Sequence, residues 1–251
     1  MSIDHSDTSI LIALKVDSQD RVDNLDLVFG YLRHHYPEME IILSEQGSAP
    51  HLEGKYDCKY VFTQCEEFFN RQKGVNIAAK HSEKKIIVHY DADIVLTTSQ
   101  INCSLDAVRA GMEMVLPYDG HFYNIPKEFH SSIKDSMSLS HIDPQKCELF
   151  TKQGVGGCVF FDREVFWKNG GANENFKGLG YEDNELFDRF RILGAKAARL
   201  NVPLFHLDHV RKETSFNFNP YVEQNKNEYV RICSMDRETL LKEIATWPWR
   251  I

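Results

Sequence analysis

The chain has 251 residues, enough for one α/β domain or two small ones with a sizeable core. Hydrophobic residues make up 42% and aromatics 12%, which excludes a disordered chain. The formal net charge of −8 argues against nucleic-acid binding through a basic surface, yet permits a phosphate-bearing small ligand held by local groups and a metal.

The opening stretch, "MSIDHSDTSILIALKVDSQD", has no basic start, and its apolar run stops at Lys15. That is too short for a signal-peptide core or a membrane span. The expectation is a cytoplasmic protein with no membrane span, with a peripheral membrane contact left open. Six cysteines form no C-x-x-C pair and no zinc-finger spacing, which fits a reducing compartment. Cys158, in the apolar run "GGCVFF", reads as a buried small hydrophobe.

Ser9–Val16 reads as a buried first strand, followed by the polar loop "DSQDR". Val22, Leu25, Val28, Phe29 and Leu32 then recur at helical spacing. "EIILSE" and "KYVFT" are a second and a third strand. Asn70–His81 is a helix with Val75, Ala78 and Ala79 inward. "KKIIVHYD" is a fourth strand, apolar at its centre as a strand buried on both faces would be. A helix over Ser99–Ala110 leads to the strand "EMVLP". The alternation predicts an α/β fold with a mostly parallel central sheet flanked by helices, whose ligands bind at the carboxyl ends of the strands. Residues 119–152 lack periodicity and read as a long irregular insertion with one short helix. No repeat or linker divides the chain. The expectation is a single domain with a nucleotide-binding half at 9–118 and an acceptor and catalytic half at 119–251.

Four elements carry chemistry. In "HYDADIVL", Asp91 and Asp93 end a strand. If the segment stays extended, both face one way and share a hard cation; a strand-end turn is the plain alternative. In "KGLGYEDNELFDRFRILG", a helix from Glu182 to Leu193 puts Leu186, Phe187 and Phe190 on one stripe, with Asp183 on its centre line. Glu185, Asp188 and Arg189 fall on the opposite side. Glu182 reads as a first-turn dipole group, whereas Asp183 points inward and suits a general base. Gly178 and Gly180 permit close approach of another molecule. In "LFHLDHVRK", His206 and His209 are either polar-turn residues or ligands of a Mn-like metal. In "FFNRQKGVNIAAK", Arg71 and Lys73 start a helix where N–H groups attract anions; a solvated first turn is the alternative.

These four elements, in their order along the chain, resemble the GT-A glycosyltransferases. The run "GGCVFFDREVFWKNGGANENFKGLGYEDNELFDRF" followed by "HLDH" resembles the C-terminal half of the β-1,4-galactosyltransferase family, including bacterial chondroitin-polymerase-like relatives. The resemblance implies inverting transfer from a UDP-sugar to a glycan or glycolipid acceptor. It implies Asp93 and His209 as ligands of Mn²⁺ (or Mg²⁺), with His206 where a further ligand comes from. It implies Asp91 against the donor, Phe69 and Arg71 on the uridine with Asn76 behind them, and Gly156 and Gly157 along the donor sugar. Glu182 would contact a sugar, and Asp183 would be the catalytic base. The segment "HVRKETSFNFNP" fits the family pattern after the histidine.

The chain also departs from the family. Leu179 stands where many relatives carry tryptophan, and Tyr181 replaces a glycine. Gly154 replaces a bulky aromatic, which would leave room for an N-acetyl group. Trp247 and Trp249 either stack on a sugar or pack the last helix, the reading the pattern favours. The competing functions are a non-catalytic UDP-sugar or glycan-binding domain and a sugar nucleotidyltransferase. The latter calls for a glycine-rich loop after the first strand, where this chain has "KVDSQDR".

Overall fold

The computed structural model describes residues 4–66, 68–210 and 219–250. The first half runs β1 (Thr8–Leu14), α1 (Gln19–His35), β2 (Glu40–Gly47), β3 (Lys59–Gln64), α2 (Arg71–Lys80), β4 (Ile86–Tyr90), β5 (Ile94–Val95), α3 (Thr98–Arg109) and β6 (Met114–Leu116). Every predicted element of this half is present. The second half runs β7 (Phe122–Ile125), α4 (His130–Ser136), β8 (Glu148–Thr151), β9 (Cys158–Asp162), α5 (Arg163–Lys168), α6 (Glu182–Ile192), β10 (Ala197–Arg199), β11 (Leu204–Leu207), α7 (Val222–Cys233) and α8 (Arg237–Ala245).

Seven strands form the central sheet in the order β10-β6-β9-β4-β1-β2-β3. The pairs β1–β2, β1–β4, β2–β3 and β6–β10 are parallel, while β9 runs antiparallel between β4 and β6. All seven residues of β1 are buried, as expected of a central strand covered on both faces. The apolar face of α1, including Leu25, Val28, Phe29 and Leu32, closes onto the same core. Thr97 and Gln100 form a reciprocal cap that starts α3. The Gln100 amide then donates to the Pro117 and Pro203 carbonyls, tying α3 to two later turns.

The antiparallel strand β9 positions the site. Its entering loop, Gly154–Gly157, lies beside the carboxyl end of β4, where the Asp91 N–H donates to the Gly157 carbonyl at 2.8 Å. The Tyr118 hydroxyl holds this loop through the Gly156 carbonyl at 2.7 Å, and Arg199 holds the Gly154 carbonyl at 3.1 Å.

The expectation of an irregular insertion at 119–152 is overturned. That region supplies β7 and β8 of a second sheet, ordered β5-β11-β7-β8, besides α4. Its strands are four residues each, too short to leave a periodic signal. β7 is ordered by pairing with β11, more than 75 positions on in the sequence, and β8 pairs in turn with β7. Cys158 is fully buried, as expected. Trp247 and Trp249 pack with Leu240 and Ile244 of α8, and the Trp249 indole donates to the Gly170 carbonyl, so they belong to a packed satellite core. No helix among the described residues is long and apolar enough to cross a membrane.

Candidate active site

A cavity of about 620 Å³ opens at the carboxyl ends of β1 and β4. Its lining includes Phe69, Arg71, Asp91, Asp93, Gly156, Gly157, Glu182, Asp183, His206 and His209. Of the eleven site residues named from sequence, only Asn76 is absent from its wall. Asn76 is fully buried; its amide donates to the Ala172 carbonyl and to Glu174, and its carbonyl accepts from the Ala172 N–H. It fixes residues 172–174 behind the site, so Asn76 does not line the cavity as a substrate-binding residue would.

Asp91 and Asp93 do not share one extended face. The Ile94 N–H donates back to the Asp91 carbonyl, so the segment turns, and the two carboxylates meet different partners. Asp91 accepts from Arg71 at 2.8 Å and lies 3.3 Å from His89. Burial opposes its charge, but the Arg71 guanidinium and His89 outweigh burial and hold it below the usual carboxylate value. Asp93 faces His209 Nε2 at 3.1 Å, His206 Nε2 at 3.5 Å and Arg21 Nη1 at 3.5 Å. Burial resists its charge too, but the histidines and Arg21 hold it well below the usual range.

One donor atom each from Asp93, His206 and His209 lies within 4.8 Å of the others. Two structural details fit a cation there. His206 Nδ1 is buried without a hydrogen-bond partner. His209 Nδ1 lies 3.0 Å from the Val210 carbonyl, which can only accept. The neutral ring therefore aims a bare Nε2 at the Asp93 carboxylate, and that contact is satisfied by a proton or by a metal. Burial pushes His209 down, but the Asp93 contact outweighs it and raises the group above its ordinary value. The oxygen and two imidazole nitrogens are a suitable donor set for a first-row divalent ion. Residues 211–218 of the family-like segment lie outside the described residues.

Arg71 occupies the floor. Of the two readings of the α2 start, an anion site and a solvated first turn, the solvated turn fails for Arg71. The Asn70 side chain caps that end by accepting from the Lys73 N–H, and Arg71 turns inward, only 7% exposed. Its guanidinium contacts Asp91, Glu182 and Asp183, the last at 2.6 Å. Three carboxylates hold it charged. Glu182 is buried, accepts from Arg71 at 2.7 Å and receives the Gly180 N–H. Burial pushes its pKa up to about 7, against the pull of Arg71. The first-turn surface role is therefore excluded for Glu182. Asp183 remains 23% exposed at its side chain and lines the cavity.

The register of α6 is partly corrected. Leu186 and Phe190 are buried, as expected. Glu185 and Arg189, expected on the outer side, are completely buried as an ion pair at 2.6 Å. Arg189 also donates to the Asn169 and Gly171 carbonyls. The helix is therefore covered on two sides, and a charged pair that satisfies itself at i and i+4 reads from sequence as a solvated face.

Glycine roles also shift. The space beside Gly178 is filled by Asn219, which donates to the Lys177 and Leu179 carbonyls, so this glycine admits the chain itself. A Cβ on Gly154 would meet the Tyr118 hydroxyl at 3.0 Å and its ring at 3.2 Å. Gly154 therefore packs closely on Tyr118, and it also lines the cavity. Gly156 is the close approach that matters: a Cβ there would overlap the Asp183 carboxylate. Sequence reasoning missed Arg21 and Lys15 on the cavity wall. Their signal was their place just past β1, Lys15 in the loop leaving the strand and Arg21 in the first turn of α1, at the same sheet edge as Asp91.

Residues 137–213 match the family model described as the N-terminal domain of galactosyltransferase. No curated protein sequence matches the chain. The catalytic domain of Drosophila β-1,4-galactosyltransferase 7, solved with xylobiose, superposes with a TM-score of 0.55 at 16% identity, covering 92% of this chain and 82% of that one. A mycobacterial protein superposes with a TM-score of 0.56 at 14% identity, covering 91% and 75%. The chain has the GT-A fold and resembles the galactosyltransferases, which supports a glycosyltransferase.

Proposed function

We propose that the protein is an inverting, metal-dependent glycosyltransferase. It moves a hexose or N-acetylhexosamine (galactose, N-acetylgalactosamine or N-acetylglucosamine) from a UDP-sugar to a glycan or glycolipid hydroxyl. The observation that carries the reading is the sharing of one cavity by the Asp93–His206–His209 cluster and by Asp183, at the carboxyl edge of the sheet. The xylobiose held by the Drosophila enzyme is consistent with a glycan acceptor.

Asp93, His206 and His209 would hold a divalent ion, Mn²⁺ or Mg²⁺, whose contribution is to stabilise the charge of the departing diphosphate. Asp91 and Phe69 would line the donor, with Gly156 and Gly157 giving it a close, side-chain-free wall. Arg71 would hold the carboxylates apart from the donor phosphates in charge and fix the direction of Asp183. In the transfer step the acceptor oxygen forms a bond to the anomeric carbon while the bond to the diphosphate oxygen breaks. UDP leaves with that electron pair, and the hydroxyl proton passes to the Asp183 carboxylate. One displacement from the opposite face inverts the anomeric carbon. The free thiols of all six cysteines suit a reducing cytoplasm, where the proposed setting is assembly of a surface or lipid-linked glycan.

The test is UDP release from UDP-Gal, UDP-GalNAc and UDP-GlcNAc with Mn²⁺, wild type beside Asp183→Asn. Metal-dependent release that sugar acceptors accelerate in wild type only supports transfer and names the donor. UDP binding with metal but no release from any donor would instead favour a binding domain.

A further inference from the structure

Two non-glycine residues among those described have left-handed backbone, Met137 and Tyr181. Tyr181 has φ 67° and ψ −11°, directly before α6. A bulky L-residue is disfavoured there, and a glycine would carry the same turn without strain. The chain keeps a phenol ring in that position, between Gly180 and Glu182. Strain held at a cavity wall calls for a job done by the side chain.

The ring is braced. It stacks on Tyr229 of α7, with centroids 5.8 Å apart and planes 26° apart. The Tyr229 hydroxyl in turn donates to Asp188 of α6 at 2.8 Å. Tyr181 also lines the same cavity as Asp183, two residues on, and so does Leu179 of the same loop. The wall around them thus combines an apolar, flat surface with carboxylates. A pyranose matches that combination: one face presents C–H groups and the rim presents hydroxyls.

We propose that the Tyr181 ring, held by Tyr229, is the acceptor-sugar platform, taking the C–H face of a pyranose whose hydroxyl is presented to Asp183. The assignment rests on the transferase reading and deepens it. Tyr181 is a specificity residue; Tyr229 is a positioning residue acting through it.

The test uses the full chain with UDP and Mn²⁺. The probes are the methyl β-glycosides of xylose, glucose, galactose and N-acetylglucosamine. Saturation-transfer NMR should show the C–H face protons of at least one glycoside most strongly saturated in wild type and in Tyr181→Phe. Tyr181→Gly, which relieves the strained backbone, should remain folded by circular dichroism and bind UDP as wild type does. Its glycoside affinity should fall roughly ten-fold, the worth of one stacked ring. Tyr229→Leu should lose less, and Tyr229→Phe, which keeps the stacked ring and drops only the bond to Asp188, should lose least. Saturation of no glycoside by wild type overturns the platform. Equal glycoside binding by Tyr181→Gly overturns it, and so does a loss in that variant confined to UDP. Glycoside binding through Tyr181 in a protein that releases UDP from no donor supports the platform and overturns transfer.

Discussion

Arg71 and Asp183 meet at 2.6 Å, and the same guanidinium nitrogen lies 2.7 Å from Glu182, while its twin donates to Asp91 at 2.8 Å. One cation thus joins the strand end carrying Asp91 to the helix carrying Asp183. Removing it leaves three carboxylates facing each other in a buried setting. Arg71→Leu should therefore destabilise the fold by about 3–5 kcal/mol in urea denaturation. Adding Glu182→Gln replaces one of the three crowded carboxyl groups with a neutral amide and should recover part of that loss. A loss under about 1 kcal/mol in the single variant would mean that the cluster relaxes into water.

Gly156→Ala tests the wall opposite Asp183. The added methyl occupies the place of the Asp183 carboxylate, so Asp183 must turn away. A displaced base loses its alignment with the acceptor, and UDP release in the presence of acceptor should fall by about 10²-fold. UDP binding should persist, since the donor contacts on Phe69 and Asp91 remain. Gly154→Ala is the contrast, because its methyl meets the buried Tyr118 ring and should lower the melting temperature. Equal activity of Gly156→Ala and wild type would show that Asp183 takes no part in transfer.

The legible parts of this molecule are those with a period or a repeated chemical type. The runs Ile10–Leu14 and Ile86–Val88 are apolar throughout, so the central strands and the sheet edge carrying Asp91 followed from composition. The β7–β8 pair did not, because four-residue strands depend on β11 for their order. Glu185 and Arg189 show a second limit. Helical phase placed them with Asp188 on an outer side, but Asn169 and Gly171 fold over that side and accept from the guanidinium. Arg71 shows a third: its charge suggested an anion site, whereas its partners come from residues 20 and more than 110 positions away. Ion pairs across such distances leave no trace in spacing.

Metal binding has its own readout. If Asp93, His206 and His209 hold a divalent ion, Mn²⁺ should raise the melting temperature of the wild type. At a hundredfold excess over the dissociation constant the gain is about 2.7 kcal/mol. Asp93→Asn and His206→Gln should each shrink that gain, and chelation should reverse it. Substitution of His89, which lies beside Asp91 and outside the cluster, should leave the Mn²⁺ response in place. A wild-type midpoint indifferent to Mn²⁺ at millimolar concentration would remove the cluster as a metal site.

Glu182 supplies a pH dependence whose sign is fixed. Burial raises its pKa from the ordinary 4.5 to about 7 in the folded chain. Between those values the folded state binds the proton and the unfolded state has lost it. Stability from this group is therefore complete below about pH 4.5 and falls as pH rises toward 7. The loss across that window is on the order of 1–3 kcal/mol. Glu182→Gln carries no titrating group and should lose less stability than wild type over the same interval. Other groups titrate there in both proteins, so the quantity to follow is the difference between the two urea-denaturation free energies, at pH 5 and again at pH 7.5. That difference should move in favour of the glutamine variant as pH rises. A constant difference would mean that Arg71 keeps Glu182 ionised throughout, with the buried cluster holding all three carboxylates as anions.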